Sequence, residues 1–415
     1  MVTLLMERDG YVERTLAAVL IKAATQFSAI VLTGPRQSGK TTLVRRLFGE
    51  THRYCSLDDP LIREQAQNDP NLLLSRFPPP VIVDEIQYAP GFLSSVKLDV
   101  DSHRNQPGRF VITGSQAFPL MHGVTESLAG RAAVLLLHSF SLREVAGKGT
   151  SEPNIGWREQ LVSGAPLGSD VTTVAEFLWR GGYPEPALRD IDVRLWHGSY
   201  MSTYLERDVR TLRAVGDLDD FRRLVTAVAV RSGSLINYAD LARDIGTTAK
   251  TTKAWVSVLE ASEQVRILRP WFANVGKRLV KQPKVYLQDP GVLSWLLGVI
   301  RPEETLTGMA AGPLFETAVL GALTRAIAHH GERPSIWFWR TSAGHEVDFI
   351  IEDGLALIPI EAKLTATPRP THAKGLERFI DLFPDRAKKG YLVCLCNERF
   401  ELTSRVQAVP LDVLG

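Results

Sequence analysis

The residues Gly34-Pro35-Arg36-Gln37-Ser38-Gly39-Lys40-Thr41 satisfy G-x-x-x-x-G-K-[ST] between the apolar run Ala29 to Leu32 and the helical run Thr42 to Phe48. Glycines let such a loop wrap so that its backbone N–H groups point inward. The helix start adds positive dipole, and Lys40 brings a cation for the β and γ phosphates of ATP. Nucleotide contacts are therefore expected from Gly34 through Thr42, with Thr41 ligating Mg²⁺. A second pattern, Val81-Ile82-Val83-Asp84-Glu85, is an apolar strand ending in two carboxylates. Asp84 is suited to hold the metal directly or through water, and Glu85 to orient or deprotonate the attacking water. Ser115 ends the next apolar run, where its hydroxyl serves either as a γ-phosphate sensor or as an ordinary turn residue. Arg131 closes the following helical stretch, on the rim expected to carry the nucleotide. There it either reaches a neighbouring subunit's nucleotide in a homo-oligomer or forms a surface or internal salt bridge.

These groups need a scaffold, and the short apolar runs Ala29 to Leu32, Val81 to Val83, Phe110 to Thr113 and Ala132 to Leu137 provide one. Alternating with helical patterns, they predict a doubly wound α/β domain with a buried parallel sheet over residues 1–146. Residues 147–216 read as a linker and a helical connector or lid, punctuated by Gly181-Gly182-Tyr183-Pro184. Residues 217–290 hold three amphipathic helical patterns and then two apolar runs flanking a basic turn, the order of a winged helix. A further α/β domain is expected over 291–415, with strands around Trp337, Phe349, Ile360 and Leu392. A length of 415 residues fits several domains at about 100 to 200 residues each. The 48 basic and 46 acidic residues leave a charge of +2, so any attraction to nucleic acid must be local. No apolar stretch approaches a membrane span and the start lacks the apolar core of an export signal, so a cytoplasmic protein without a membrane partner is expected. Cys55, Cys394 and Cys396 match no zinc spacing and read as reduced core thiols.

Two local clusters suggest chemistry beyond the phosphate loop. Asn237 to Ile245 and Thr247 to Glu260 read as a helix-turn-helix, with Thr248, Lys250, Thr251 and Lys253 facing outward at the start of the second helix. Arg266, Arg269, Lys277, Arg278, Lys281 and Lys284 follow without an acidic residue between Gln264 and Gln288. They are suited to DNA phosphates or are solvated beside a packed partner. Farther on, period two places Glu346, Asp348 and Ile350 on one strand face, and Glu361 and Lys363 on the polar face of the next strand. A hairpin through Glu352-Asp353-Gly354 would bring Asp348, Glu361 and Lys363 together as a Mg²⁺ and water-activating site. Retained cleavage and a degenerate site look the same at this level.

Together with the phosphate loop and the paired acids, Leu128-Ala129-Gly130-Arg131, Gly181-Gly182-Tyr183-Pro184-Glu185, Tyr204-Leu205-Glu206-Arg207-Asp208, Glu346-Val347-Asp348 and Ile360-Glu361-Ala362-Lys363 resemble the prokaryotic AAA+ ATPases joined to domain of unknown function 4143. The resemblance spans about residues 11 to 400. It implies a P-loop AAA+ module, a winged helix and a C-terminal fold similar to the PD-(D/E)XK nucleases, with Glu316 resembling their additional acid. The expected function is an ATP-hydrolysing switch or motor whose nucleotide state repositions a nucleic-acid-binding winged helix and a nuclease-like domain, with metal-dependent cleavage left open. The alternative is an ATP-gated regulator of protein partners with an inactive nuclease-like domain.

Overall fold

The computed structural model describes residues 10–115, 127–149, 156–204, 218–273 and 282–414. Its first part is a parallel sheet of β1 (Ala29–Thr33), β2 (Arg53–Ser56), β3 (Val81–Asp84), β4 (Phe110–Thr113) and β5 (Ala132–Leu136). The spatial order is β2-β3-β4-β1-β5. Strand alternation sends Ala29, Val31, Val83 and Ile112 into one layer with Val96 and Val100. It sends Ile30, Leu32, Ile82 and Val111 into the other, against Leu16, Leu20 and Leu43. Both faces are covered, which is why the central strands are apolar throughout. Each fully buried aliphatic side chain contributes about 1.5–3 kcal/mol. Strand β2 escapes an apolar-run search because it is the edge strand, and of its four residues only Cys55 is buried.

Helix Val171–Arg180 ends at Gly181, whose φ of 77° and ψ of −172° lie in a region open essentially to glycine. A Cβ there would stand 2.1 Å from Asp289 Oδ1. Asp289 is buried, accepts from Ser139 Oγ (3.0 Å) and Gly182 N (2.9 Å), and caps helix Pro290–Leu296 through Gly291 N and Val292 N. One carboxylate thus ties the exit of β5, the glycine connector and the segment after residue 288. Asp289→Ala strands these buried donors and is expected to cost about 3 kcal/mol. A lowered urea midpoint at unchanged slope checks it.

Helices Leu218–Val230, Tyr238–Ile245 and Ala249–Ala261 come next. They accompany an antiparallel sheet of β6 (Ser234–Leu235), β7 (Val265–Leu268) and β8 (Lys284–Leu287) in the order β6-β8-β7. Asn237 caps the second helix and Gly246 ends it at φ 77°. The third helix starts at Ala249, two residues beyond the expected start at Thr247, because it is the Thr248 hydroxyl that caps it by accepting from Thr251 N.

The last part is a sheet of β9 (Ile336–Arg340), β10 (Glu346–Asp353), β11 (Ala356–Ala362), β12 (Gly390–Cys394), β13 (Phe400–Glu401) and β14 (Val406–Pro410), ordered β13-β14-β12-β11-β10-β9. The long helix Ala311–Ala328 packs with Phe349, Ile351 and Ile360, whereas helix Lys374–Leu382 packs with Val347, Ile350 and Leu357. A bulge between Val347 and Ile350 breaks the two-residue period. The expected common face of Glu346, Asp348 and Ile350 is therefore corrected, because Ile350 joins Val347 in the layer under Lys374–Leu382. Residues beyond β7 hydrogen-bond to edge strand β9, with Trp271 N donating to Phe338 O and Phe338 N to Arg269 O. One apolar cluster gathers Leu142, Trp157 and Phe177, Leu268 and Tyr286, and the long helix with the last sheet, so it runs across the expected boundaries at 146, 216 and 290. Among the described residues no helix is long and apolar enough to cross a membrane.

Candidate functional site

Because β1, β3 and β4 run parallel, the residues after Thr33, Val83 and Thr113 emerge at one edge of the sheet. The loop after β1 uses positive φ at Gly34 (145°), Gln37 (59°) and Gly39 (92°) before helix Lys40–Phe48 begins. A side chain at 34 would collide with Leu137 O, 2.1 Å from the built Cβ. Pro35 and Ser38 are buried, Arg36, Gly39 and Thr41 half-buried, and Gln37 and Thr42 exposed. Lys40 is buried, and its ammonium donates to Gly34 O (3.0 Å) and Pro35 O (2.8 Å). Ser38 Oγ is buried without a hydrogen-bond partner, a polar atom awaiting one inside the loop.

Asp84 gathers three hydroxyls: Thr41 Oγ1 (2.9 Å to Oδ2), Tyr54 OH (2.6 Å) and Thr113 Oγ1. Burial, with the hydrogen bond to Asp84 and its charge, pushes the Tyr54 phenol up, so it stays a donor. Glu85 is held in the left-handed region at φ 60°, a conformation that costs about 1–3 kcal/mol for a non-glycine residue and persists only where its surroundings hold it. Gln87 Nε2 does part of this holding, bonding both the Glu85 carboxylate and Ser115 Oγ (3.0 Å), and Ser115 Oγ stands 3.5 Å from Glu85 Oε2. Tyr54, Gln87 and Thr113 were not legible as site residues. The one local signal was an amide two places after the paired acids.

The loop also has a buried support. Arg14 donates to Ser38 O (2.9 Å), His138 O (2.7 Å) and Glu144 Oε1 (3.2 Å). His329, just past the long helix, accepts from His138 N through Nε2, so the neutral ring carries its proton on Nδ1, 3.5 Å from Glu144 Oε1. Burial works to raise the Glu144 carboxyl, but the charge of Arg14, the Nδ1–H of His329 and a hydrogen bond from Ser141 hold it well below the usual range. Burial lowers both His329 and His138. Beside Gly39 and Thr42, a cavity of about 300 Å³ opens between Tyr11, Val12 and Arg14 on one side and Pro184 and Leu188 on the other.

The second expected centre is occupied by a cation of the chain itself. Phe349 pairs with Ile360, so the next rung brings Asp348 and Glu361 opposite each other, both buried. Asp348 Oδ2 accepts from Ala362 N (2.9 Å), and Lys363 Nζ lies 2.8 Å from Glu361 Oε1. Burial, then the charges of Glu361 and Glu316, raises Asp348 well above the usual carboxyl value, and burial raises Glu361. Among these acids sits Lys284 Nζ, 2.6 Å from Glu346 Oε1, 3.3 Å from Glu316 Oε1 and 3.9 Å from Asp348 Oδ1. Burial works against its charge, yet Glu316, Asp348 and Glu346 together raise it. Tyr286 OH donates to Glu316 as well. Among the described residues no group of three His, Cys, Asp or Glu side chains is arranged to hold a metal ion.

Several expected surface cations are therefore corrected. Lys284 is 5% exposed because the acids of the last domain take it up. Arg266 is half-buried and donates to Pro334 O (3.0 Å), and burial lowers its affinity for the proton. Lys250, Lys253 and Arg269 are exposed, while Lys277, Arg278 and Lys281 lie outside the described residues, as do Leu205 to Asp208. The placement of Arg131 on the nucleotide edge is corrected too. Ala132 pairs with Ala29, so Arg131 stands at the opposite end of the sheet from the phosphate loop. There it grips Asp101 with both Nε (2.7 Å) and Nη2 (3.1 Å).

Comparison with known proteins divides the chain among three family models: an AAA domain over residues 26–146, domain of unknown function 8612 over 171–303, and domain of unknown function 4143 over 311–414. Two curated mycobacterial proteins are similar along nearly the whole length: Uncharacterized protein Mb2031c of Mycobacterium bovis and Uncharacterized protein Rv2008c of Mycobacterium tuberculosis. Each is 31% identical over 403 residues, covering 96% of this chain and 83% of the relative. Among solved structures, the Walker-type ATPase PABY2304 of Pyrococcus abyssi is similar with a TM-score of 0.41 at 18% identity, covering 70% of this chain and 97% of that one.

Proposed function

The chain belongs to the family of these two mycobacterial proteins, its residues 26–146 make it a P-loop ATPase of the AAA type, and on that premise we propose that it is an ATP-hydrolysing switch. The observation that carries the reading is the convergence of Lys40, Thr41, Asp84, Glu85 and Ser115 at one sheet edge. Lys40 exchanges its loop carbonyls for the β and γ phosphates, and Ser38 Oγ gains a partner. Thr41 and Asp84 are the residues suited to hold Mg²⁺, which when bound neutralises developing charge on the phosphates. Glu85, steadied by Gln87 and Ser115, takes the proton of the attacking water. The cavity lined by Tyr11, Val12 and Leu188 has the position and apolar walls for the base. Steady-state phosphate release from ATP by the purified protein tests this reading directly.

The coupled element is residues 217–290. Their helix-strand-helix-helix-strand-strand order supports a winged-helix reading. Of the basic residues expected to meet DNA, Lys250, Lys253 and Arg269 are exposed among the described ones. If they contact phosphates, binding to duplex DNA weakens steeply with salt, and each of Lys250→Ala and Lys253→Ala lowers the slope of log K against log salt by about one. Fluorescence anisotropy over a salt series checks it, and an unchanged slope rejects this interface. The β10–β11 hairpin with Asp348 and Glu361 supports a nuclease-like reading of residues 291–415. With Lys284 among the acids the residues as arranged do not fit a divalent cation, so no cleavage step is assigned there. That same lysine favours the second reading, an ATP-gated regulator of protein partners whose nuclease-like domain is silent.

A further inference from the structure

We propose that the Lys284 ammonium is the resident cation of the C-terminal acidic pocket, and that the pocket accepts a divalent metal ion only when this lysine is withdrawn. The inference rests on the nuclease-like reading of residues 291–415 and adds a gate to it. Glu316, Glu346, Asp348 and Glu361 enter the pocket from the long helix, β10 and β11, while Lys284 enters from β8, an element of the preceding three-stranded sheet. Its backbone is fixed on both sides, opposite Leu235 on β6 and Leu268 on β7, so the ammonium is delivered by a rigid strand. A charge tethered in this way has an effective concentration that a free ion must overcome, and Mg²⁺ sheds its water reluctantly.

The pocket nevertheless holds more carboxyl groups than lysines to pair with them. Four carboxyl groups face Lys284 and Lys363, with Arg340 3.7 Å from Glu346 at the rim. Glu361 Oε2 is buried and has no hydrogen-bond partner, on a residue only 8% exposed. A buried carboxyl oxygen of this kind retains the capacity to accept a further partner. The strand that delivers Lys284 runs directly into Asp289, which grips Ser139 and Gly182 beside the exit of β5. A shift of the ATPase sheet against the connector therefore has a short mechanical path to the ammonium.

The test is Mn²⁺ titration of the full chain by calorimetry and by thermal unfolding, for wild type, Lys284→Met and Lys284→Gln, each with and without Asp348→Asn. Subtracting the Asp348→Asn result isolates this pocket from any metal held at Thr41 and Asp84. Removing Lys284 is expected to create an Asp348-dependent Mn²⁺ site about 10²-fold tighter than in wild type, and to make the melting temperature rise with Mn²⁺. Lys284→Gln, which keeps a hydrogen-bond donor among the acids, carries the test if Lys284→Met does not fold. An Asp348-dependent site of equal affinity with and without Lys284 overturns the gate and leaves the metal reading standing. No Asp348-dependent binding in any variant overturns both.

Discussion

Replacing Glu85 by Gln is expected to lower ATP turnover by about 10² to 10⁴ while leaving ATP bound, the range typical for removal of a positioned general base. The substitution keeps the side chain's shape. An amide at 85 still has an oxygen to accept from Gln87 Nε2 and Ser115 Oγ, so the left-handed backbone at that position keeps its holders. What is lost is the ability to take a proton, and the defect is chemical. Lys40→Ala acts at the earlier step. It removes the cation that now bonds Gly34 O and Pro35 O, and nucleotide affinity is expected to fall. Phosphate release together with equilibrium binding of a fluorescent ATP analogue separates the two variants. Equal turnover by wild type and Glu85→Gln would reject the role given to Glu85.

The second large effect is on stability. Truncating Arg14 or Glu144 to Ala leaves the other as an uncompensated buried charge, a change that typically costs about 3–5 kcal/mol. Both are essentially inaccessible, and Arg14 also holds the Ser38 and His138 carbonyls, so the loss includes the support of the phosphate loop. Saturating ATP at 100 times its Kd should return about 2.7 kcal/mol to any variant that still binds it. The same cluster sets the acid limb of the stability curve. His138 and His329 are lowered from 6.5, so below that pH the unfolded chain takes up protons that the folded chain refuses, and stability falls as pH falls. Glu144 is held below its ordinary 4.5, so its contribution is present above that value and is lost on further acidification. Urea midpoints from pH 7.5 to about pH 2.5 should decline first with the histidines and then, below 4.5, with Glu144. A flat profile over that range would contradict the assignment.

The parallel strands were legible because strands covered on both faces must be apolar from end to end, as Ala29 to Leu32 and Val81 to Val83 are. The same search had no purchase on β2, β6 or β13, which are edge strands of two to four residues. The phosphate loop was legible because its spacing is local. Gln87 and Tyr54 were not, because their value comes from β2, β3 and β4 lying side by side. Lys284 shows the limit most plainly. In a basic stretch a lysine reads as solvated, and only the packing of β8 against the long helix and β10 makes it a buried counter-charge. Arg131 was misplaced for a related reason: its neighbours in sequence specify a strand start but not which end of the sheet that start occupies.

The contact between His138 and His329 spans 191 residues of chain. On a ribosome adding about 5–20 residues per second, roughly 10 to 40 s separate the emergence of its two halves. During that interval the Arg14–Glu144 pair has no His329 against it, and the apolar cluster containing Leu142, Trp157 and Phe177 has neither the long helix nor the last sheet to close it. The nucleotide-binding half is thus a nascent segment with an open flank. A pulse of protease against arrested chains should cut those ending before residue 311 and spare those that include the long helix and the strands after it.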